Sequence, residues 1–231
     1  MCESQEQEKG EIVIERVDGD ESIKYLGLNI AADGNMKDEL KDRIEQAIAF
    51  GEKVLHSSLS RTEARMAYYK VWVPKIGYAV PITTFTKEEG EEISSIVWNR
   101  VLPKMGYSRK IARGIVKGEK SLGGLGMEDV YVQQGIEHVY HMVGHIRQQD
   151  EIGILMKIEM ECLQLVIGSG DFFWELEWKK YNYIEERGWI SSVWEFVSRY
   201  KVTIKVEGMW KPRIGREEDK YIMDEVVRLG A

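Results

Sequence analysis

Residues 60–104 read SRTEARMAYYKVWVPKIGYAVPITTFTKEEGEEISSIVWNRVLPK, and they settle the class of the fold. Ser60-Arg61-Thr62-Glu63 and Thr86-Lys87-Glu88-Glu89 are both capping boxes. In each, a hydroxyl accepts from the backbone N–H three residues on, and the glutamate carboxylate reaches back to the first N–H. Two helix starts are therefore predicted. Proline lacks an N–H and crowds the preceding turn, so the first helix is expected to run to Pro74 and the second to stop near Pro103.

Upstream, Met36, Leu40, Ile44, Ala47, Ile48, Val54 and Leu55 recur at helical spacing with charges between them. Before them, residues 11–17 alternate polar and β-branched side chains, and Asp18-Gly19-Asp20 carries turn chemistry. Residues 23–30 form a second strand, closed by Asp33-Gly34. The pair predicts a β-hairpin, which alone is marginally stable and must pack on something else. Residues 1–10 read as a disordered acidic lead-in.

Downstream, a short basic helix is expected after Ser108, and Gly123-Gly124-Leu125-Gly126 must be a loop. Helices over 128–147 and 150–167 follow, the latter stopped by Gly168-Ser169-Gly170, the best boundary in the chain. A helix over 190–200, a strand over 202–206 and a closing helix over 217–229 complete the pattern. The expected fold is α+β and predominantly helical. A hairpin (11–34) precedes a helical bundle (35–167) and a mixed C-terminal region (171–231).

The formal charge of −7 conceals an asymmetry. Residues 1–60 carry 14 acids and 7 bases, residues 61–150 carry 10 and 13, and residues 151–231 carry 15 and 12. The acidic balance argues against a freestanding nucleic-acid binder that works by bulk charge and leaves room for a local basic strip. Cys2 and Cys162 suggest no disulfide framework. With no signal-like or membrane-length apolar run, an intracellular protein of nucleus or cytoplasm is expected. P-loop, zincin and nucleophile-elbow motifs are missing, and so is any Asp-Asp dipeptide. Most simple hydrolase and NTPase readings fall with them.

From Arg100 to Lys120 the chain is dense in cations: Arg100, Lys104, Arg109, Lys110, Arg113, Lys117 and Lys120, with Tyr107 among them and Glu119 the single acid. A helix there would align Arg109, Arg113 and Lys117, spaced four apart, on one face that could grip phosphates. His138, His141 and His145 also share a helix face, and Cys162 could complete a zinc set from the next helix. Three ligands on one helix rarely surround one ion, so a partly buried polar seam is the preferred reading. The aromatic run Phe172, Phe173, Trp174, Trp178, Tyr181, Tyr183, Trp189 and Trp194 is read as core rather than as a stacking platform.

Tyr25-Leu26-Gly27-Leu28, the Asp33-Gly34 turn, a helix carrying Arg43-Ile44, then Pro74-Lys75-Ile76-Gly77-Tyr78 and Gly123-Gly124-Leu125-Gly126-Met127 follow one another in an informative order. Over roughly residues 11–147 that order resembles the region just downstream of the catalytic palm in non-LTR (LINE-like) retrotransposon reverse transcriptases. The resemblance implies a primer grip at Tyr25, Leu26 and Gly27, and a thumb that holds RNA–DNA or DNA duplex. Lys70, Lys75, Arg100, Lys104, Arg109, Lys110, Arg113 and Lys117 become the candidate phosphate contacts. The family's paired aspartates, which hold two Mg²⁺, belong to a palm with no counterpart in these residues. The chain is therefore expected to bind no cofactor and to be inactive alone, either as a fragment of a longer polyprotein, whose partners are the family's palm and fingers, or as a decayed copy. The rival reading is a helical protein-interaction module with no nucleic-acid role.

Overall fold

The computed structural model describes residues 18–19, 21–181, 188–205 and 220–229. The strand expected over 11–17 and the acidic lead-in lie outside them, as do Tyr183 and the start of the closing helix. Residues 23–30, expected as one strand, form two. β1 (Ser22–Tyr25) and β2 (Leu28–Ala31) pair antiparallel with Tyr25 opposite Leu28, so a turn at Leu26-Gly27 breaks that stretch; the pairing expected across Asp18-Gly19-Asp20 lies outside the described residues. Leu26 (φ +49°) and Gly27 (φ +84°) both lie in the left-handed region, the geometry of a type I′ hairpin turn.

α1 (Lys37–His56) supports this hairpin. Ser22 and Lys24 bond to Asp38 and Asp42 of α1, and Asn29 donates from its backbone and its side-chain amide to Glu39 Oε2 at 2.8 and 3.2 Å. Arg43 Nε donates to Glu39 Oε1 at 2.6 Å, and Arg43 Nη2 to the Gly27 carbonyl at 2.9 Å. Glu39 is 1% and Arg43 3% exposed, so this ion pair is inside the protein. The polar face of the hairpin thus meets α1, while Ile23, Tyr25 and Ile30 on the other face stay open to solvent.

Both capping boxes form as expected. Ser60 and Glu63 start α2 (Arg61–Ala67), and Thr86 and Glu89 start α4 (Lys87–Lys104). Pro74 does not end its helix. The turn ahead of it widens to π geometry over Tyr68–Trp72, with Val73 N–H donating to the Tyr68 carbonyl, and α3 (Val73–Gly77) continues with the proline in its first turn, where no N–H is needed. Pro103 is accommodated in the last turn of α4. α5 (Arg113–Lys117) is short, and a 3₁₀ turn (Lys120–Leu122) follows it.

α6 (Val130–Gln148), α7 (Glu151–Ile167), α8 (Trp178–Tyr181), α9 (Trp189–Tyr200) and α10 (Ile222–Leu229) complete the described chain. Residues 202–205, expected within a strand, have no regular structure. α6 belongs to two cores. Val130 packs with Trp72, Phe85, Trp98 and Leu102 of the α1–α4 core, whereas Met142 and Ile146 pack with Met160, Phe173, Val193 and Trp194. The second core holds most of the aromatic run, as expected, with Trp178 and Phe173 edge-on to Trp194. Gly168-Ser169-Gly170 ends α7 and is bonded to Asp224 of α10. Among the described residues no helix is long and apolar enough to cross a membrane.

Removing one member of a buried ion pair strands the other in a low-dielectric site. Arg43→Met is therefore expected to cost about 3 kcal/mol or more in urea unfolding. Glu39→Gln combined with Arg43→Met should cost clearly less than the two single changes summed. A loss below about 1 kcal/mol for Arg43→Met would show that the pair does not hold the hairpin.

Candidate nucleic-acid interface

The hairpin turn is presented rigidly. Arg43 holds the Gly27 carbonyl from beneath, and the Tyr78 hydroxyl donates to the Leu26 carbonyl at 2.8 Å from the end of α3. Tyr25 is 63% and Leu26 69% exposed, and Tyr78 is exposed beside them. A leucine at positive φ is strained, because its Cβ crowds the backbone carbonyl; glycine has no Cβ, and asparagine offsets the crowding by bonding its polar side chain to nearby backbone. Strain of this kind, fixed by surrounding bonds and carried by an exposed apolar side chain, concentrates at functional sites. Lys75 lies three residues before Tyr78, on the same side of the helix, and is exposed.

The basic strip does not form one ridge. Helix covers only Arg113–Lys117, so Arg109 is not aligned with Arg113 and Lys117 on a helical face. Arg100 Nε donates to Glu52 of α1 at 2.6 Å, which holds the Glu52 carboxyl below its usual range. Arg113 donates to Asn99 at 2.9 Å and lies over the Trp98 ring. Lys117 reaches Asp129 at 2.5 Å and Glu91 at 3.2 Å. Partial burial pulls the Lys117 ammonium down, but those carboxylates outweigh it and hold its pKa above the ordinary lysine value. Lys120 sits over the Tyr69 ring. Arg100, Arg113 and Lys117 therefore point into the fold and hold α1, α4 and α6 together.

Lys70, Lys75, Lys104, Arg109 and Lys110 make no ion pair among the described residues, and all but the half-buried Lys104 are exposed. The fold adds two arginines that the density of residues 100–120 does not reveal. Arg61 and Arg65, four apart on α2, meet the loop after α4. There Gly106 and Tyr107 close the helix, their N–H groups donating to the Pro103 and Leu102 carbonyls. Gly106 has φ +88°, and a Cβ on it would stand 2.9 Å from Arg61 Nε, so the residue must be glycine for Arg61 to lie there. Arg65 Nη2 donates to the Tyr107 hydroxyl at 3.0 Å. Arg61, Thr62, Arg65 and Met105 line a surface cleft of about 210 Å³. The sequence does carry a signal here. Arg61 opens a helix, where the dipole disfavours a cation, so the arginine is not there for helix stability.

The histidines do not converge. His138 is buried at the junction of the two cores, with its Nδ1 3.3 Å from Ser192 Oγ and its ring against Trp189. Trp189 in turn donates to the Pro81 carbonyl at 2.9 Å. His145 Nδ1 pairs with Asp150 at 2.7 Å, and Cys162 is exposed on α7. Among the described residues no three His, Cys, Asp or Glu side chains stand together as a metal set. The polar-seam reading fits these positions.

No family model, no curated protein and no solved structure matches this chain.

Two outcomes follow from this geometry. Leu26→Asn relieves the turn and is expected to stabilise the protein by about 1 kcal/mol in thermal or urea unfolding; a destabilised variant would mean that the turn is not strained. Burial pushes His138 down to about 4, against nearby carbonyls of Val80 and Thr83 that act the other way. Its unfolded-state value is near 6.5, so the unfolded chain binds the extra proton first. Stability is whole above about pH 6.5 and falls as pH drops to about 4, by about 3 kcal/mol from this residue. His138→Gln should flatten that part of the pH–stability curve, and an unchanged slope would rule out the buried neutral imidazole.

Proposed function

We propose that this chain is a non-catalytic, duplex-gripping part of an RNA-directed DNA polymerase. In this reading the Leu26-Gly27 turn seats the primer end, and Lys70, Lys75, Lys104, Arg109 and Lys110, joined by Arg61 and Arg65, hold phosphates of an RNA–DNA or DNA duplex. The observation that carries it is the strained, exposed Leu26 in a turn clamped by Arg43 and Tyr78. The clamp fixes the backbone on both sides of Leu26, as an element that positions a strand end requires. The order of motifs from Tyr25 to Met127 supports the same assignment.

The unpaired cations supply the sequence-independent part. Phosphate contacts position a duplex without reading its bases. The Asp-Asp dipeptide that carries Mg²⁺ in that family is missing from this sequence, and this reading assigns the chain no chemical step. Palm and fingers of the same polymerase would supply it, and they are the proposed protein partners.

Fluorescence anisotropy with a labelled RNA–DNA hybrid at about 50 and about 200 mM salt tests the reading. Binding should weaken steeply with salt. Arg61→Gln with Arg65→Gln should lower the slope of log affinity against log salt by about 2, one for each phosphate left without its guanidinium. Arg100→Gln, whose guanidinium already faces Glu52, should leave the slope unchanged. Hybrid binding that is absent or indifferent to salt would refute the proposal.

A further inference from the structure

α7 carries aliphatic residues on its outward side as well as on its buried one, and only the buried side is covered. Written as a heptad with Leu155 and Cys162 at a, and Ile158 and Leu165 at d, its buried residues all fall at b, c and f: Gly153, Met160, Leu163, Gln164 and Ile167. Those positions face α6, α9 and the second core. The a, d, e and g positions look outward. Leu155 is 63% and Leu165 74% exposed, and Ile158, Ile152, Ile154 and Val166 are about half exposed. A contiguous exposed apolar face of this kind marks a contact surface. The spacing of 3, 4 and 3 residues from Leu155 to Leu165 is that of a coiled-coil seam.

The charges on the open face select the occupant. Glu151 stands at d, Glu159 at e and Glu161 at g, whereas Lys157, the helix's one base, is at c and half-buried. Glu159 also accepts from the Ile190 N–H at 3.3 Å, which fixes it at the edge of the seam beside the start of α9. Residues at e and g decide which helix a seam accepts. A second copy laid antiparallel over the same face would set the acidic centre, Glu159 to Glu161, against its own equivalent. A helix flanked by lysine or arginine would neutralise it.

We propose that the open face of α7 is a docking seam for one amphipathic helix of a partner protein, with aliphatic residues at its a and d positions and basic residues at e and g. The seam lies on the second core, away from the hairpin and Arg61, so it stands or falls independently of duplex binding.

Two synthetic helical peptides with the same leucine seam, one with lysine and one with glutamate at every e and g position, are titrated into the full chain by calorimetry. The lysine peptide should bind at least about tenfold more tightly, and the preference should shrink with added salt. Glu161→Lys should narrow or reverse it. Leu155→Gln with Leu165→Gln, both on the exposed side, should abolish binding while leaving the thermal midpoint in place. Sedimentation of the chain alone should give a monomer. Equal binding of the two peptides, binding of neither, or a dimer abolished by the Leu155 and Leu165 changes would overturn the proposal.

Discussion

The Glu39–Arg43 ion pair governs the N-terminal half of this protein. A carboxylate and a guanidinium withdrawn from water are tolerated only when their remaining bonding capacity is met, and here the hairpin meets it. Asn29 donates to Glu39, and the Gly27 carbonyl accepts from Arg43. Lifting the hairpin off α1 would break each of these bonds at once and open the pair to water. Such a constraint differs from hydrophobic packing, which tolerates sliding; charged hydrogen bonds fix register. Leu26 can be held at a positive φ because the backbone on either side of it is fixed in this way.

Placement of acids, rather than density of bases, decides which cations the surface offers. Glu52, Glu91 and Asp129 draw Arg100 and Lys117 inward, and Trp98 with Asn99 takes up Arg113. These cations knit α1, α4, α5 and α6 together. Arg61 and Arg65 escape because Glu63, two residues from each, lies on the opposite side of α2 and bonds to the Ser60 N–H. The outcome is a smaller positive surface than the run from Arg100 to Lys120 suggests, displaced to the junction of α2 with the end of α4.

Helix starts were legible in the sequence because capping is local: Ser60 with Glu63 and Thr86 with Glu89 form their boxes where the spacing predicts them. The helical bundle, the predominance of helix and the aromatic core followed from periodicity and area in the same way. The hairpin turn was not legible. Leucine is among the residues poorly suited to a left-handed turn, so nothing local marked a break inside residues 23–30, and the bonds from Arg43 and Tyr78 hold the Leu26-Gly27 turn in place. Pro74 misled for a related reason, since a widened turn upstream removes the need for its N–H. For the candidate site, Tyr25, Leu26 and Gly27 could be picked out from the order of motifs. Arg61 offered only a faint local signal, a cation at a helix start, and Arg65 none; they are joined to Tyr107 across some forty residues of chain only once α2 has packed on α4.

Amide hydrogen exchange of the free chain and of the chain saturated with an RNA–DNA hybrid tests the account most directly. It predicts slowed exchange in Ser22–Ala31 and in the residues around Arg61, Arg65 and Gly106–Lys110, with α7 unchanged. Protection confined to α7 and α10, or no protection anywhere, would contradict it.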